Sequence, residues 1–117
     1  MRIDRIDHIV LTVRDIAATI DFYTRVLGME AAAFGEGRYA LRFGTQKINL
    51  HQVGQEVEPT AAHPTPGGVD LCLITESSLA LFQAHQAAEN VEIVEGPVQR
   101  TGATGALTSI YVRDRDG

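Results

Sequence analysis

Apolar and polar residues alternate at the start of the chain, and the period then changes. Residues 5–13 read RIDHIVLTV. Ile6, His8, Val10 and Thr12 fall on one side, and Asp7, Ile9, Leu11 and Val13 on the other. A period of two predicts a strand. After Asp15 the period lengthens, and Ile16, Ile20, Tyr23 and Leu27 recur at helical spacing. Asp15 suits the N-cap of that helix, and Gly28 suits a left-handed stop. Three short strand-like segments follow, 30–34, 38–43 and 47–53, divided by turns at Gly35-Glu36-Gly37 and Gly44.

The second half repeats this order. Residues 69–75 (VDLCLIT) read as a strand, and Ser77 or Ser78 can cap a helix to about Glu89. Asn90 stands where that helix should stop. Residues 91–94 and 108–112 read as strands, the second before a turn at 114–117. An offset of 62 separates His8 from Asp70, Gly28 from Asn90 and Arg38 from Arg100. A Gly-rich insertion at 101–106 then moves the tail to an offset of 70, matching Phe43-Gly44 with Arg113-Asp114. The pattern predicts an α+β chain, βαβββ written twice. Residues 1–117 form one domain, with a first module at 1–53, a linker at 54–68 and a second module at 69–117. The copy-two counterpart of His51 falls past Gly117, so the second module's last strand is expected beyond the given sequence. The linker, rich in Pro and Gly, reaches roughly 45 Å when extended. That length lets the modules pair within one chain or across two.

Composition narrows the function classes. Hydrophobic residues are 44% and charged residues 21%, which is ordinary for a globular domain. The net charge of −5, with no basic cluster, argues against nucleic acid and anionic membranes as partners. No apolar run approaches the ~20 residues that span a bilayer. Cys72 is the only cysteine, so no intramolecular disulfide forms, and a reducing cytoplasm is expected. Within an apolar strand, Cys72 reads as a packing residue.

The stretches IDHIVLTVRDI, FYTRVLGME, FGTQKINLHQVG, AAHPTPGGVDLCLIT, VEGPVQRTGATG and SIYVRDRDG cover nearly the whole chain. They resemble the vicinal oxygen chelate superfamily, which includes glyoxalase I, extradiol dioxygenases, fosfomycin-resistance enzymes and bleomycin-resistance proteins. Within it they are similar to the branch called glyoxalase-domain-containing protein five and to related bacterial virulence and dioxygenase-related proteins. The resemblance implies paired βαβββ modules whose curved mixed sheet surrounds a cleft. It also implies metal ligands from the first and last strands of each module. His8 takes the first-strand position of module one, and His51 the last-strand position, where glyoxalases usually have Glu. Asp70 takes the first-strand position of module two, where His is usual. The fourth position lies beyond Gly117.

Two imidazoles and a carboxylate suit an Fe(II) facial triad or a catalytic Zn²⁺ set. The plainer alternative is a satisfied core histidine at His8 and a hydrogen-bonded strand-end acid at Asp70. Arg100, beside Thr101, Gly102 and Gly105, is a candidate for holding a substrate carboxylate or phosphate, or else part of an ordinary hairpin connection. Ser109 and Tyr111 share one side of the following strand and are further substrate-binding candidates. Lys47 and Asn49 share the parity of His51, and Lys47 reads as solvated. His63 and His85 read as exposed. The function implied is a small enzyme that uses a divalent ion (Fe, Zn, Ni, Mn or Co) on a substrate with vicinal oxygens, by lyase, isomerase or ring-cleaving-dioxygenase chemistry. The competing class is a ligand-sequestering protein of the bleomycin-resistance type. A homodimer is expected.

Overall fold

The computed structural model describes residues 1–117. Its chain is mixed α+β and divides into two compact units, Met1–Asp70 with Arg115–Gly117, and Leu71–Asp114. The first unit contains β1 (His8–Val13), α1 (Ile16–Arg25), β2 (Glu30–Phe34), β3 (Arg38–Phe43) and β4 (Gln46–Gln52). These strands form one sheet in the order β1-β4-β3-β2. β1 and β4 pair in parallel, and the other neighbours pair antiparallel.

The apolar face of this sheet follows from the alternation. Leu11, Val13, Leu41, Ile48 and Leu50 are all at most 5% exposed. α1 packs on β2, β3 and β4, and its Phe22 and Tyr23 are buried, with ring centroids 5.4 Å apart, edge to face. Asp15 caps α1 by accepting from the Ala18 N–H at 2.9 Å. Gly28, at φ +70°, ends it, while the Met29 N–H donates to the Tyr23 carbonyl at 3.0 Å. Gln52, at the end of β4, ties the β1–α1 turn on both sides. Its Oε1 accepts from the Ile16 N–H at 3.2 Å, and its Nε2 donates to the Arg14 carbonyl. Arg14 also donates to Asp116 from its backbone N–H and its guanidinium.

The second unit contains α2 (Leu79–Ala88), β5 (Ile93–Gly102) and β6 (Gly105–Val112). Ser78 caps α2 by accepting from the Leu81 N–H at 3.1 Å, and Asn90 follows it at φ +57°. β5 and β6 form an antiparallel pair.

Several expected boundaries shift. β1 begins at His8 rather than at residue 5, because its ladder with β4 begins at His8–Lys47. Residues 69–75 join no strand, because no ladder reaches them, and Val69, Leu71, Leu73, Ile74 and Cys72 are all exposed. Cys72 is therefore not a packing residue. The expected strand at 108–112 is part of the longer β6, and β5 begins at Ile93, inside the expected 91–94. The Gly-rich stretch at 101–106 is the tip of a hairpin, with strand at 101–102 and 105–106 and a two-residue turn at 103–104 closing through the Gly102–Gly105 pair. β5 continues past Pro97 by two register shifts. Gly96 sits there at φ +105°, where a Cβ would fall 2.4 Å from the Ser109 carbonyl oxygen, so the bulge requires glycine. No helix is long and apolar enough to cross a membrane.

Leu41 is fully buried beneath α1's sheet contacts. Leu41→Ala is expected to lower the unfolding free energy by about 2–5 kcal/mol in urea denaturation. A loss below about 1 kcal/mol would mean that this face is not the core.

Candidate functional site

Residues opposite one another on a ladder present their side chains to the same face. The register therefore arranges the second face of the first unit's sheet in rows. One row is His8, Lys47, Arg42 and Glu30. The next is Val10, Asn49, Ala40 and Ala32. Beyond it, Thr12 stands opposite His51, and Phe34 opposite Arg38. This is the polar side of the strands whose other side makes the core.

Burial on this face is unusual for polar residues. Thr12, Asn49 and His51 are at most 8% exposed. Asn49 Oδ1 is buried with no hydrogen-bond partner, which costs roughly 1–3 kcal/mol. Lys47 Nζ stands 4.3 Å from the Phe34 ring centroid, and Arg38 Cζ stands 4.5 Å from the same centroid. Lys47 and Phe34 start from rows on either side of Asn49, so their contact crosses the middle row. Ala40 and Ala32 leave room for it. Lys47 is thus held on an aromatic ring rather than solvated as expected.

His8 lies at the edge of the same face, exposed, with Nδ1 2.8 Å from Asp7 Oδ2. An Nδ1–H donating to the carboxylate leaves Nε2 as a base or ligand atom. The hydrogen bond from His8 holds the Asp7 carboxyl below its ordinary value, against some desolvation, with smaller help from the charges of His8, Lys47 and Arg5. Near His51, the Glu56 carboxyl is also held low. The cause is first its bonds to the backbone N–H groups of Glu56 and Gly54, with His51 adding a smaller electrostatic contribution.

The expected metal set does not assemble. His8 is opposite Lys47, whereas His51 is opposite Thr12, four residues further along β1. At ~3.3 Å per residue that is about 13 Å between backbone positions along the strands, so the two imidazoles would have to lean toward each other to share an ion at ~2.0–2.2 Å. Asp70 is exposed and lies in no helix or strand. No group of three or more His, Cys, Asp or Glu side chains in the chain could hold an ion. His8, His51 and Asp70 thus do not gather into one cluster within this chain.

In the second unit, Arg100, Ser109 and Tyr111 share one face of the β5–β6 hairpin, with Arg100 opposite Leu107, Ser109 opposite Val98 and Tyr111 opposite Glu95. Arg100 Nε donates to Tyr111 Oη at 3.1 Å, Nη2 to Glu95 Oε1 at 3.2 Å, and Nη1 to the Gln99 carbonyl at 3.0 Å. The Tyr111 bond is the main reason that the Arg100 pKa is raised. The cation expected to hold a substrate anion already faces a carboxylate. His63 and His85 are exposed, as expected.

The alternation pattern placed Lys47, Asn49 and His51 on one face, but it gave no sign that Phe34 would gather Lys47 and Arg38. That contact depends on the β2–β3 register.

A family model described as Glyoxalase/Bleomycin resistance protein/Dioxygenase superfamily matches residues 5–117. The chain is 56% identical to virulence protein STM3117 of Salmonella typhimurium over 117 residues, all of this chain and 81% of that protein. The crystal structure of STM3117 superposes with a TM-score of 0.98, covering all of this chain and 93% of that one. Identity is also 56% over 111 residues with glyoxalase domain-containing protein RDO1 of Mycosarcoma maydis, covering 95% of this chain and 62% of that protein. A fosfomycin resistance protein from Listeria monocytogenes, FosX, complexed with Mn(II), shares the fold at a TM-score of 0.64 and 19% identity, covering 98% of this chain and 85% of that one.

His8 donates to Asp7 and thereby favours the carboxylate. This contribution is present above the ordinary carboxylate pKa and is lost as pH falls through the lowered value. In His8→Ala, the Asp7 titration followed by carboxyl ¹³C NMR is expected to move up toward the ordinary carboxylate value. An unmoved midpoint would show that the hydrogen bond does not set it.

Proposed function

The chain belongs to the Glyoxalase/Bleomycin resistance protein/Dioxygenase superfamily, and from that premise we propose that it is a small enzyme acting on an oxygen-rich molecule held against the polar face of β1-β4-β3-β2. The observation that carries this reading is the buried polar row itself. Asn49 carries a buried oxygen without a hydrogen-bond partner, and Thr12 and His51 are buried on the same face. A face maintained only for folding would bury apolar side chains there, because an unmade hydrogen bond is destabilising. In this proposal His8, oriented by Asp7, moves a proton on the bound molecule.

A metal-dependent form, lyase-like or dioxygenase-like, draws support from one feature. Metal-ligating histidines commonly donate their second ring N–H to a carboxylate, as His8 does to Asp7. The separation of His8 from His51 opposes it. A ligand-sequestering role is the alternative to catalysis.

The test is a panel of small 2-oxo acids, thiol–aldehyde adducts and catechols, each offered with and without added Mn(II), Ni(II), Zn(II) or Fe(II). Turnover lost in His8→Gln, with binding retained, is the expected result. Binding without turnover under every condition would assign the sequestering role. Turnover that survives His8→Gln would remove His8 from the chemistry.

The proposal extends to a homodimer. Residues 69–75 present Val69, Leu71, Leu73 and Ile74 without a ladder, a segment suited to pairing with another chain. Light scattering is expected to give about twice 12.7 kDa. A mass of one chain at micromolar concentration would contradict it.

A further inference from the structure

The chain passes between its two units twice, after Asp70 and after Asp114. Both passes start from one place on the first unit. On the return pass, the Asp116 side chain is only 6% exposed, although its partner Arg14 is 65% exposed. Asp116 Oδ1 accepts from the Arg14 backbone N–H and from Arg14 Nη1, each at 3.2 Å. Nη1 also donates to the Asp116 carbonyl at 3.5 Å. On the outward pass, Gly67 lies against the same residue. Its φ is +78°, and a Cβ there would fall 2.6 Å from the Asp116 carbonyl oxygen, so the approach requires glycine. Gly68 then closes a turn by donating its N–H to the Thr65 carbonyl at 3.2 Å.

An exposed guanidinium gains little from an ion pair alone. The weight of this contact lies in the buried carboxylate and the backbone. Arg14 stands past the last pair of the β1–β4 ladder and before α1, so its N–H has no partner in either. Asp116 supplies one from 102 residues away. The Arg14 carbonyl is taken by Gln52, so the turn is held from two sides. Gly67 and Asp116 both stand within three residues of a crossing, and residues 71–114 are therefore an excursion pinned side by side at its two ends. We propose that Arg14, Gly67 and Asp116 form a latch that closes this excursion at its base and opens as a unit ahead of the core. Gly67 and residues 115–117 lie in no helix or strand, and segments of that kind open at lower free energy than paired strands. Closing a long loop costs entropy, and the closing contact must offset it. Loss of one pass's share of the contact therefore frees the other pass as well.

The experiment is amide hydrogen exchange of the full chain, read by NMR, with substitutions on the two different passes. Asp116→Ala removes the acceptor on the return pass. It is expected to speed exchange of the Gly68 N–H on the outward pass by about tenfold or more, the weight of one charged hydrogen bond. Gly67→Ala pushes against the Asp116 carbonyl and is expected to speed exchange of the Arg14 N–H by a similar factor. Asp116→Asn keeps an oxygen for the Arg14 N–H, so its effect on Gly68 should fall between Asp116→Ala and the unsubstituted chain. Amides of β4, which is paired on both sides, should keep their rates. Should Asp116→Ala or Gly67→Ala disturb β4, Asp116→Asn decides alone, through a faster Gly68 above an unchanged β4. An effect confined to the substituted pass would overturn the proposal, because the two passes would then be held independently. Loss of β4 protection in Asp116→Asn would also overturn it, because the contact would then belong to the core and not to a latch that opens ahead of it.

Discussion

The parallel ladder between β1 and β4 sets the register of the first unit, and both of its faces follow from that register. Pairing Leu11 with Leu50 and Ile9 with Ile48 places one apolar set beneath α1. The same pairing necessarily sets His8 beside Lys47, Val10 beside Asn49, and Thr12 beside His51 on the other side. A slip of one residue would exchange the two sets, burying Lys47 in the core and exposing Ile48. Gln52 fixes the end of this ladder. Its side-chain amide bonds both to the Arg14 carbonyl and to the first N–H of α1, so the strand pair and the helix start share one anchor.

How much of this was legible in the sequence depended on the range of the determining interaction. β2, β3, α1, its Asp15 cap and its Gly28 stop are local features, and alternation with capping chemistry located them. The second half was harder to read. Residues 69–75 have strand composition, but a strand needs a partner, and none reaches them here. The opposite error occurred at 101–106, where glycines suggested a loop and the hairpin pairing made strand up to a two-residue turn. Cys72 and Arg100 show the same dependence on tertiary context. Cys72 is exposed because its segment has no ladder, and the Arg100 charge is met by Glu95 across one hairpin.

The site was legible in parity but not in distance. Alternation placed Lys47, Asn49 and His51 on one side of their strand, and the repeat made His8 and Asp70 equivalent positions. Parity carries no information on separation along the strands. That comes from the register, which sets His8 and the position opposite His51 four residues apart along β1 and puts Asn49 nearer to His8 than His51 is. Membership of the superfamily and the shared fold do not restore the ligand set, because a fold specifies where strands run and the side chains specify chemistry. What the face does contain is charge without counter-charge at Arg38 and Lys47, and a buried acceptor without a donor at Asn49.

The central claim is that this polar row is maintained for a ligand and not for the fold. The unfolding free energy of Asn49→Leu, measured by urea denaturation alongside the unsubstituted chain, tests it most directly. Leucine has the same number and branching of side-chain heavy atoms as asparagine and removes the unmade hydrogen bond. If the amide serves a ligand, the variant is expected to be at least as stable, by up to about 1–3 kcal/mol. A loss of stability of that size would show that the amide supports the fold, and the account of the polar face as a binding site would be contradicted.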